Sequence, residues 1–291
     1  MGSAPDITAF FHEPTNTVSY VVADPATRAA AVIDPVLDFD LASGEIGTGS
    51  TDALLAVAAE QDLEIRWVLE THAHADHLSA ASVIKARTGA GIAIGEGISA
   101  VRESFAVTFG DSGDGAFDQL LRDGDRLPLG ELEIEVIATP GHTPACVTYR
   151  IGDAAFVGDT MFMPDYGTAR TDFPGGDARQ LYRSMQRILA LPRETRLFMC
   201  HDYKAPGRDR YAWETTVKEQ REKNVHVKEG VTEDEFVALR AERDATLSAP
   251  RLLLPSIQVN IRAGKFPPKE SNGVRYLLIP VKAKGGADLG A

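Results

Sequence analysis

Seven histidines occur in the 291 residues, and three of them fall in THAHADH (71–77) as His72, His74 and His77, with Asp76 between the last two. Imidazole and carboxylate are the ligand types that first-row metals such as zinc and iron accept. In an extended segment residues i and i+2 point to the same side. His72 and His74 therefore face one point, and the loop that follows carries Asp76 and His77 to a second. The spacing differs from the helical H-E-x-x-H pattern, in which ligands four residues apart share a helix face.

Three more candidates share a local setting: His142 in TPGHTP after LEIEVIA, Asp159 in GDT after AAFVG, and His201 in CHDY after RLFM. Each lies just past an apolar run that reads as a buried strand, at the strand edge where layered α/β folds place their sites. A solitary histidine beside a strand is ordinarily packed or at the surface, and His12 and His226 read that way. The other seven residues, repeated in one context, would form a cluster of unpaired polar groups unless a metal drew them together.

To deliver these side chains, the chain must form strands that end on them. VSYVVADPATRAAAVIDP (18–35) holds two apolar runs around a Pro-containing turn and predicts a hairpin. IRWVLET (65–71), GAGIAIG (89–95), LRDGDRLPLGELEIEVIAT (121–139), ACVTYRIGDAAFVGDT (145–160) and RLFMC (196–200) read as further strands, with Asp-Gly and Leu-Gly turns between them. Helical period appears in TDALLAVAAEQ (51–61), with Ser50 or Thr51 as cap, in ADHLSAASVIKART (75–88), and in GGDARQLYRSMQRILAL (175–191), stopped by Pro192. FDLASGEIGTGS (39–50) reads as a loop. The alternation of strands and helices predicts a layered α/β sheet. After residue 210, YAWETTVKEQREKN and TEDEFVALRAERDATL are charged and helical, and the C-terminal segment is rich in proline without strong periodicity. The expected division is a catalytic domain over 1–240 and an arm over 241–291 packed on the same domain.

Composition narrows the function classes. Apolar residues at 44% and charged residues at 25% are ordinary globular values, which excludes disorder as the default. A net charge of -12 argues against nucleic acid or an anionic membrane as a general partner, and a nuclease would want a basic accessory domain. No apolar run approaches the roughly 18 residues of a membrane span. The start MGSAPDITAFFHEPTN lacks a basic and then apolar stretch, so no signal peptide is expected, and Asp6 breaks the myristoylation pattern. Two cysteines, Cys146 and Cys200, are too few for a disulfide scaffold; both read as small buried side chains, and a cytoplasmic location is expected. No Gly-rich loop follows the first strand, so neither flavin nor nicotinamide is expected.

THAHADH, TPGHTPACVTY, FVGDTMF and CHDY resemble the metallo-β-lactamase superfamily, over about residues 7–240. The resemblance implies an α/β fold, a four-layer αββα sandwich with metals at the sheet edges, here with a C-terminal helical and Pro-rich extension. Its members divide by chemistry. In hydrolases such as glyoxalase II, two zinc ions would be held, one by His72, His74 and His142 and the other by Asp76, His77 and His201. Asp159 would bridge them, and the water between would attack a thioester. In persulfide dioxygenases a single Fe(II) would be held by His72, His142 and Asp159. That facial triad leaves open positions, with His74, Asp76, His77 and His201 around it to orient ligands and relay protons.

ARTDFPGGD (169–177), HDY (201–203) and VNIRAG (259–264) are similar to the dioxygenase branch. WETTVKEQREKNVHV and RLLLPSIQVNIRAG look most like the bacterial β-lactamase-hydrolase-like subgroup. The implied reaction is oxidation of glutathione persulfide by O2 to sulfite and glutathione, with one Fe(II) per chain. The alternatives are a dinuclear zinc hydrolase of a glutathione thioester and a non-catalytic sulfur-binding or sensing protein. Glutathione carries carboxylates, so an arginine near the metal is expected; Arg170 is the candidate, against a structural ion pair with Asp172. Tyr203 is the second substrate contact, or else a packed tyrosine. The stretch TMFMPDYGTA before Arg170 is longer than in the human-type enzyme, with Ala169 where that enzyme has glycine. The charged helices and Pro-rich arm suit a homodimer.

Overall fold

The computed structural model describes residues 4–110 and 115–281; residues 1–3 of the N-terminal segment and 282–291 of the arm lie outside the described residues. The chain begins with β1 (Asp6–His12), β2 (Thr17–Ala23), β3 (Ala29–Ile33), β4 (Val36–Phe39), β5 (Ile46–Gly47), α1 (Gly49–Glu60), β6 (Glu64–Leu69) and β7 (Leu78–Ser79). It continues through α2 (Ala81–Thr88), β8 (Gly91–Gly95), α3 (Ile98–Phe109), β9 (Gln119–Leu121), β10 (Arg126–Leu129), β11 (Leu132–Ala138), β12 (Val147–Ile151) and β13 (Ala154–Phe156). Then come α4 (Ala178–Leu189), β14 (Arg196–Phe198), β15 (Glu214–Thr216), α5 (Val217–Lys223), α6 (Glu233–Asp244) and α7 (Leu253–Asn260).

Two six-stranded sheets result, ordered β1-β2-β3-β6-β8-β9 and β10-β11-β12-β13-β14-β15, beside a small sheet β5-β4-β7. The strand sequences explain why both faces are covered. Every residue of β2 is buried. Val21 joins Val32, Val68 and Ile92 in a core shared with Leu54 of α1, Ile84 of α2 and Val101 of α3. The neighbours Tyr20 and Val22 turn the other way, into a core with Ile134, Val136, Tyr149 and Phe156 of the second sheet. Alternation along a strand thus buries side chains on both faces, which is why these strands read as continuous apolar runs. On the far side, Ala155, Leu197 and Met199 pack against Leu181 and Met185 of α4, Val217 of α5 and Phe236 of α6. The order of layers is helix, sheet, sheet, helix, a four-layer αββα sandwich.

Three local expectations are corrected. The helical period over 75–88 becomes helix only from Ala81, and Leu78–Ser79 pairs with β4 instead. The reason is tertiary: Asn260 takes the carbonyls of His74 (2.9 Å) and His77 (2.8 Å) and the amide of Ser79 (2.8 Å), groups a helix would use internally. The segment 39–50 is not wholly loop. Asp38 pairs with Gly47 and Phe39 with Ile46, and the Asp38 carboxylate accepts from the Ser50 amide (3.0 Å) at the start of α1. The Pro-rich segment contains α7, whose Ser256, Ile257, Gln258, Val259 and Asn260 are all buried. A helix buried all round shows no amphipathic period.

Candidate metal centre

Every strand end named from the sequence delivers its residue to one edge of the sandwich. β6 leads into Thr71–His77, β11 into His142, β13 into Asp159 and β14 into His201. Glycines permit the close approaches. Gly141 has φ of 139°, and a Cβ there would lie 2.3 Å from the Leu181 backbone of α4. Gly158, at φ of 52°, would place one 2.6 Å from the Thr71 hydroxyl. These contacts fix the residues on either side, His142 and Asp159. Asp159 itself sits at φ -90°, ψ 15°, in the sparsely populated bridge region.

His72, His142 and Asp159 bring one ligand atom each within 4.8 Å of one another. The His72 and His142 Nε2 atoms lie 3.8 Å and 3.7 Å from Asp159 Oδ2. Their other nitrogens are committed. His142 Nδ1 donates to the Arg170 carbonyl at 2.7 Å, so its Nε2 carries the lone pair. The Thr71 hydroxyl donates to Asp34 Oδ2 at 2.8 Å and therefore accepts from His72 Nδ1 at 3.0 Å, which sets the same tautomer. Both imidazoles thus present an oriented acceptor toward the carboxylate, the outer hydrogen bonding that metal-ligating histidines require.

His74, Asp76, His77 and His201 form a second group within the same span. His201 Nε2 lies 3.3 Å from Asp76 Oδ2 and 3.4 Å from Asp159 Oδ1. Its Nδ1 donates to the Asn16 carbonyl at 3.2 Å. Five buried atoms here have no hydrogen-bond partner: His74 Nδ1, Asp76 Oδ2, His77 Nε2, Asp159 Oδ1 and His201 Nε2. Such orphans are costly unless a cation satisfies them. The donor set fits a metal, and a metal-binding His/Asp site is present.

His74 lies with Asp76, His77 and His201, whereas the dinuclear partition would set it with His72 and His142. His74 Nε2 points away, between Asp34 Oδ1 (3.0 Å) and Glu70 Oε2 (3.2 Å). Burial lowers the His74 pKa, but those two carboxylates outweigh it and hold the imidazole well above its usual range. Burial, then neighbouring imidazoles, push His72 well below that range, and His77 is lowered to about 4 chiefly by burial. Burial raises Asp159, opposed by His201 and His142. For Asp76 burial also raises, but His201 and His77 prevail and its carboxyl falls well below the usual range.

Asp34 and Glu70 escaped the sequence reading, although both obey its own rule. Asp34 follows β3 and Glu70 follows β6, each just past a buried strand. Asp34 adopts φ of 49°, a left-handed conformation that aspartate tolerates better than most residues. Its carboxylate also accepts from the Thr71 amide at 2.7 Å. Asn260 is the third omission, and its resemblance motif, VNIRAG, was the available signal.

The centre opens into a cleft of about 440 Å³. Phe162, Tyr166 and Tyr203 form one wall, with the Tyr203 ring stacked 5.6 Å from that of His201. The longer loop before Arg170 folds on itself, Phe162 N–H donating to the Gly167 carbonyl (3.0 Å), and presents Tyr166 to the cleft. Arg170 also lines the cleft, but its guanidinium is paired through two nitrogens with Asp172 (2.5 and 2.6 Å) and donates to the Ser248 carbonyl (2.7 Å). Cys146 and Cys200 are buried, and burial raises both thiols, Cys146 to about 12. No helix among the described residues is long and apolar enough to cross a membrane.

Comparison with known proteins places these residues in context. The metallo-beta-lactamase superfamily model matches residues 12–201. A probable metallo-hydrolase of Burkholderia pseudomallei is 53% identical over 95% of this chain and 99% of its own. Glyoxylase B2 of Dictyostelium discoideum is 48% identical over 97% and 98%. The human mitochondrial persulfide dioxygenase ETHE1 is 30% identical over 90% of each chain. Among solved structures, ETHE1 from Myxococcus xanthus superposes with a TM-score of 0.73 at 32% identity, covering 89% of this chain and 100% of its own.

Proposed function

This chain belongs to the metallo-β-lactamase superfamily, and within it we propose a glutathione persulfide dioxygenase working with a single ferrous ion. The observation that carries the proposal is the convergence of two imidazoles and one carboxylate, His72, His142 and Asp159, with both imidazoles held in the tautomer that faces the carboxylate. The likeness to human persulfide dioxygenase and to the Myxococcus ETHE1 structure supports the same choice.

His72, His142 and Asp159 would hold the iron. When bound, it would supply redox chemistry and adjacent open positions for a sulfur and for O2. The net change balances: persulfide, O2 and water give thiol, sulfite and two protons, the outer sulfur losing four electrons to O2. The chain's own residues orient and exchange protons. Thr71 and the Arg170 carbonyl keep the two imidazoles in the metal-facing tautomer. Asp76, facing the cleft between His77 and His201, would orient the water that cleaves the S–S bond. Phe162, Tyr166 and Tyr203 wall the carrier thiol away from bulk water.

A dinuclear zinc hydrolase of a glutathione thioester is the second reading. The orphaned atoms of His74, Asp76, His77 and His201 favour it, as does the likeness to a protein named Glyoxylase B2. Metal content and oxygen uptake separate the two. Protein purified without added metal should carry one iron and consume O2 stoichiometrically with sulfite release from glutathione persulfide. Full iron occupancy without uptake, or two zinc ions with thioester turnover, would reject the dioxygenase.

A further inference from the structure

We infer that Arg243 and Arg251, two residues of the C-terminal segment, form the anion-recognition end of the cleft and select a carrier bearing carboxylates. The inference deepens the reading above and rests on the substrate being a small thiol derivative. Four arginines line the cleft, Arg170, Arg240, Arg243 and Arg251. Two are neutralised within the protein: Arg170 by Asp172, and the buried Arg240 by Asp244 in the same helix. Arg243 and Arg251 are exposed, and among the described residues no hydrogen bond or ion pair engages either guanidinium. Among the described residues the carboxylates in the cleft lining are Asp76 and Asp159, both of the metal centre. Two guanidinium groups without an ion-pair partner thus stand in the lining of this cleft on a chain of net charge -12, with the exposed Asp40 near enough to Arg251 to feel its charge.

The two arginines are held over the cleft by contacts distinct from the metal centre. Arg243 lies in the last turn of α6, and Asp244 beside it accepts from the Thr171 amide at 2.9 Å. Ser248, between the two arginines, is tied to Arg170 through its carbonyl (2.7 Å). A guanidinium offers planar paired donors to a carboxylate, and an unpaired one at a cleft mouth on an acidic protein both steers and orients an anion. Glutathione, with two carboxylates remote from its sulfur, has the matching chemistry.

The test uses full-length protein and the non-reacting probe S-methylglutathione, with its dimethyl ester as the uncharged control, followed by calorimetric titration. Wild type should bind the diacid, and Arg243→Gln with Arg251→Gln should weaken it at least about tenfold and flatten its salt dependence, while melting temperature stays the same. The ester should bind both proteins weakly and alike. In turnover KM should rise by the same factor with kcat little changed. Equal binding of diacid and ester by wild type, or unchanged binding by the double variant, overturns the inference. Loss of binding in the variant of a protein that consumes no O2 would keep the anion site and discard only the dioxygenase.

Discussion

The carboxamide of Asn260 donates to the His77 carbonyl at 2.8 Å across 183 positions of sequence, and the same nitrogen reaches the His74 carbonyl at 2.9 Å. A buried side chain from α7 thereby holds the backbone of the metal loop on both sides of Asp76. With Asn260→Ala, two carbonyls and the Ser79 amide lose their partner. We expect a stability loss of about 3 kcal/mol and metal affinity lower by roughly ten- to a hundredfold. Ile257→Val, in the same helix, should cost about 1 kcal/mol and leave metal affinity alone. Denaturant titration and competition with a chelator measure both; equal effects on affinity would reduce Asn260 to a packing residue.

Asp34 touches none of His72, His142 and Asp159 directly, yet it fixes Thr71 and His74 together. Asp34→Asn keeps the volume and removes the charge opposite the His74 imidazole. The expected result is a drop of about ten- to a hundredfold in metal affinity or activity, with the melting temperature lowered less than in Asp34→Ala. Iron content after dialysis against chelator is the readout, and retention of wild-type affinity would show that Thr71 alone sets the His72 tautomer.

His201→Ala separates the one-metal and two-metal readings by stoichiometry. If His72, His142 and Asp159 hold the only metal, the variant keeps one ion per chain and loses turnover. If His201 is itself a ligand, the count falls from two. His142→Ala should lose the ion and the activity under either reading. Elemental analysis of the two variants beside wild type decides, because a fall in both would favour the dinuclear site.

Residue types told more than periodicity did. Seven ligand residues at strand ends are legible because a carboxylate or imidazole after an apolar run stands out against its surroundings. Asp34 and Glu70 share that position but are harder to read: Asp34 is remote in sequence from the histidine cluster, and Glu70, directly before it, reads as the last part of the buried strand IRWVLET; the fold brings His74 against both. α7 was hidden for the opposite reason. Ser256, Gln258 and Asn260 are buried alongside Ile257 and Val259, so polar residues fill core positions and no apolar stripe forms. The short α2 was overextended because 75–80 carries helical spacing while its backbone groups are taken by Asn260, a long-range contact no local pattern records. Arg170 illustrates a choice between two readings that spacing left open. The Asp172 carboxylate two residues on occupies its guanidinium, while Arg243 lies in the charged helix read over TEDEFVALRAERDATL and Arg251 in the Pro-rich segment that periodicity left unassigned.

His226 supplies a test of stability away from the metal centre. Its ring is 4% exposed, and its Nδ1 lies 3.0 Å from the Thr168 hydroxyl. Burial, with Arg243 and Arg240 of α6 adding like charge, lowers its pKa to about 4. The unfolded chain holds this proton up to about pH 6.5. Between those values the unfolded state binds more protons than the folded one, so stability rises with pH. The His226 contribution is complete above about pH 6.5, declines as pH falls toward 4 and is gone below it. The full shift corresponds to roughly 3 kcal/mol, and screening by water in the neighbouring cleft reduces it to about 2 kcal/mol. Denaturant midpoints of wild type should therefore fall between pH 6.5 and 4 more steeply than those of His226→Gln, which cannot titrate. Parallel curves would show that the carboxylates of the metal centre, and not this imidazole, govern acid stability.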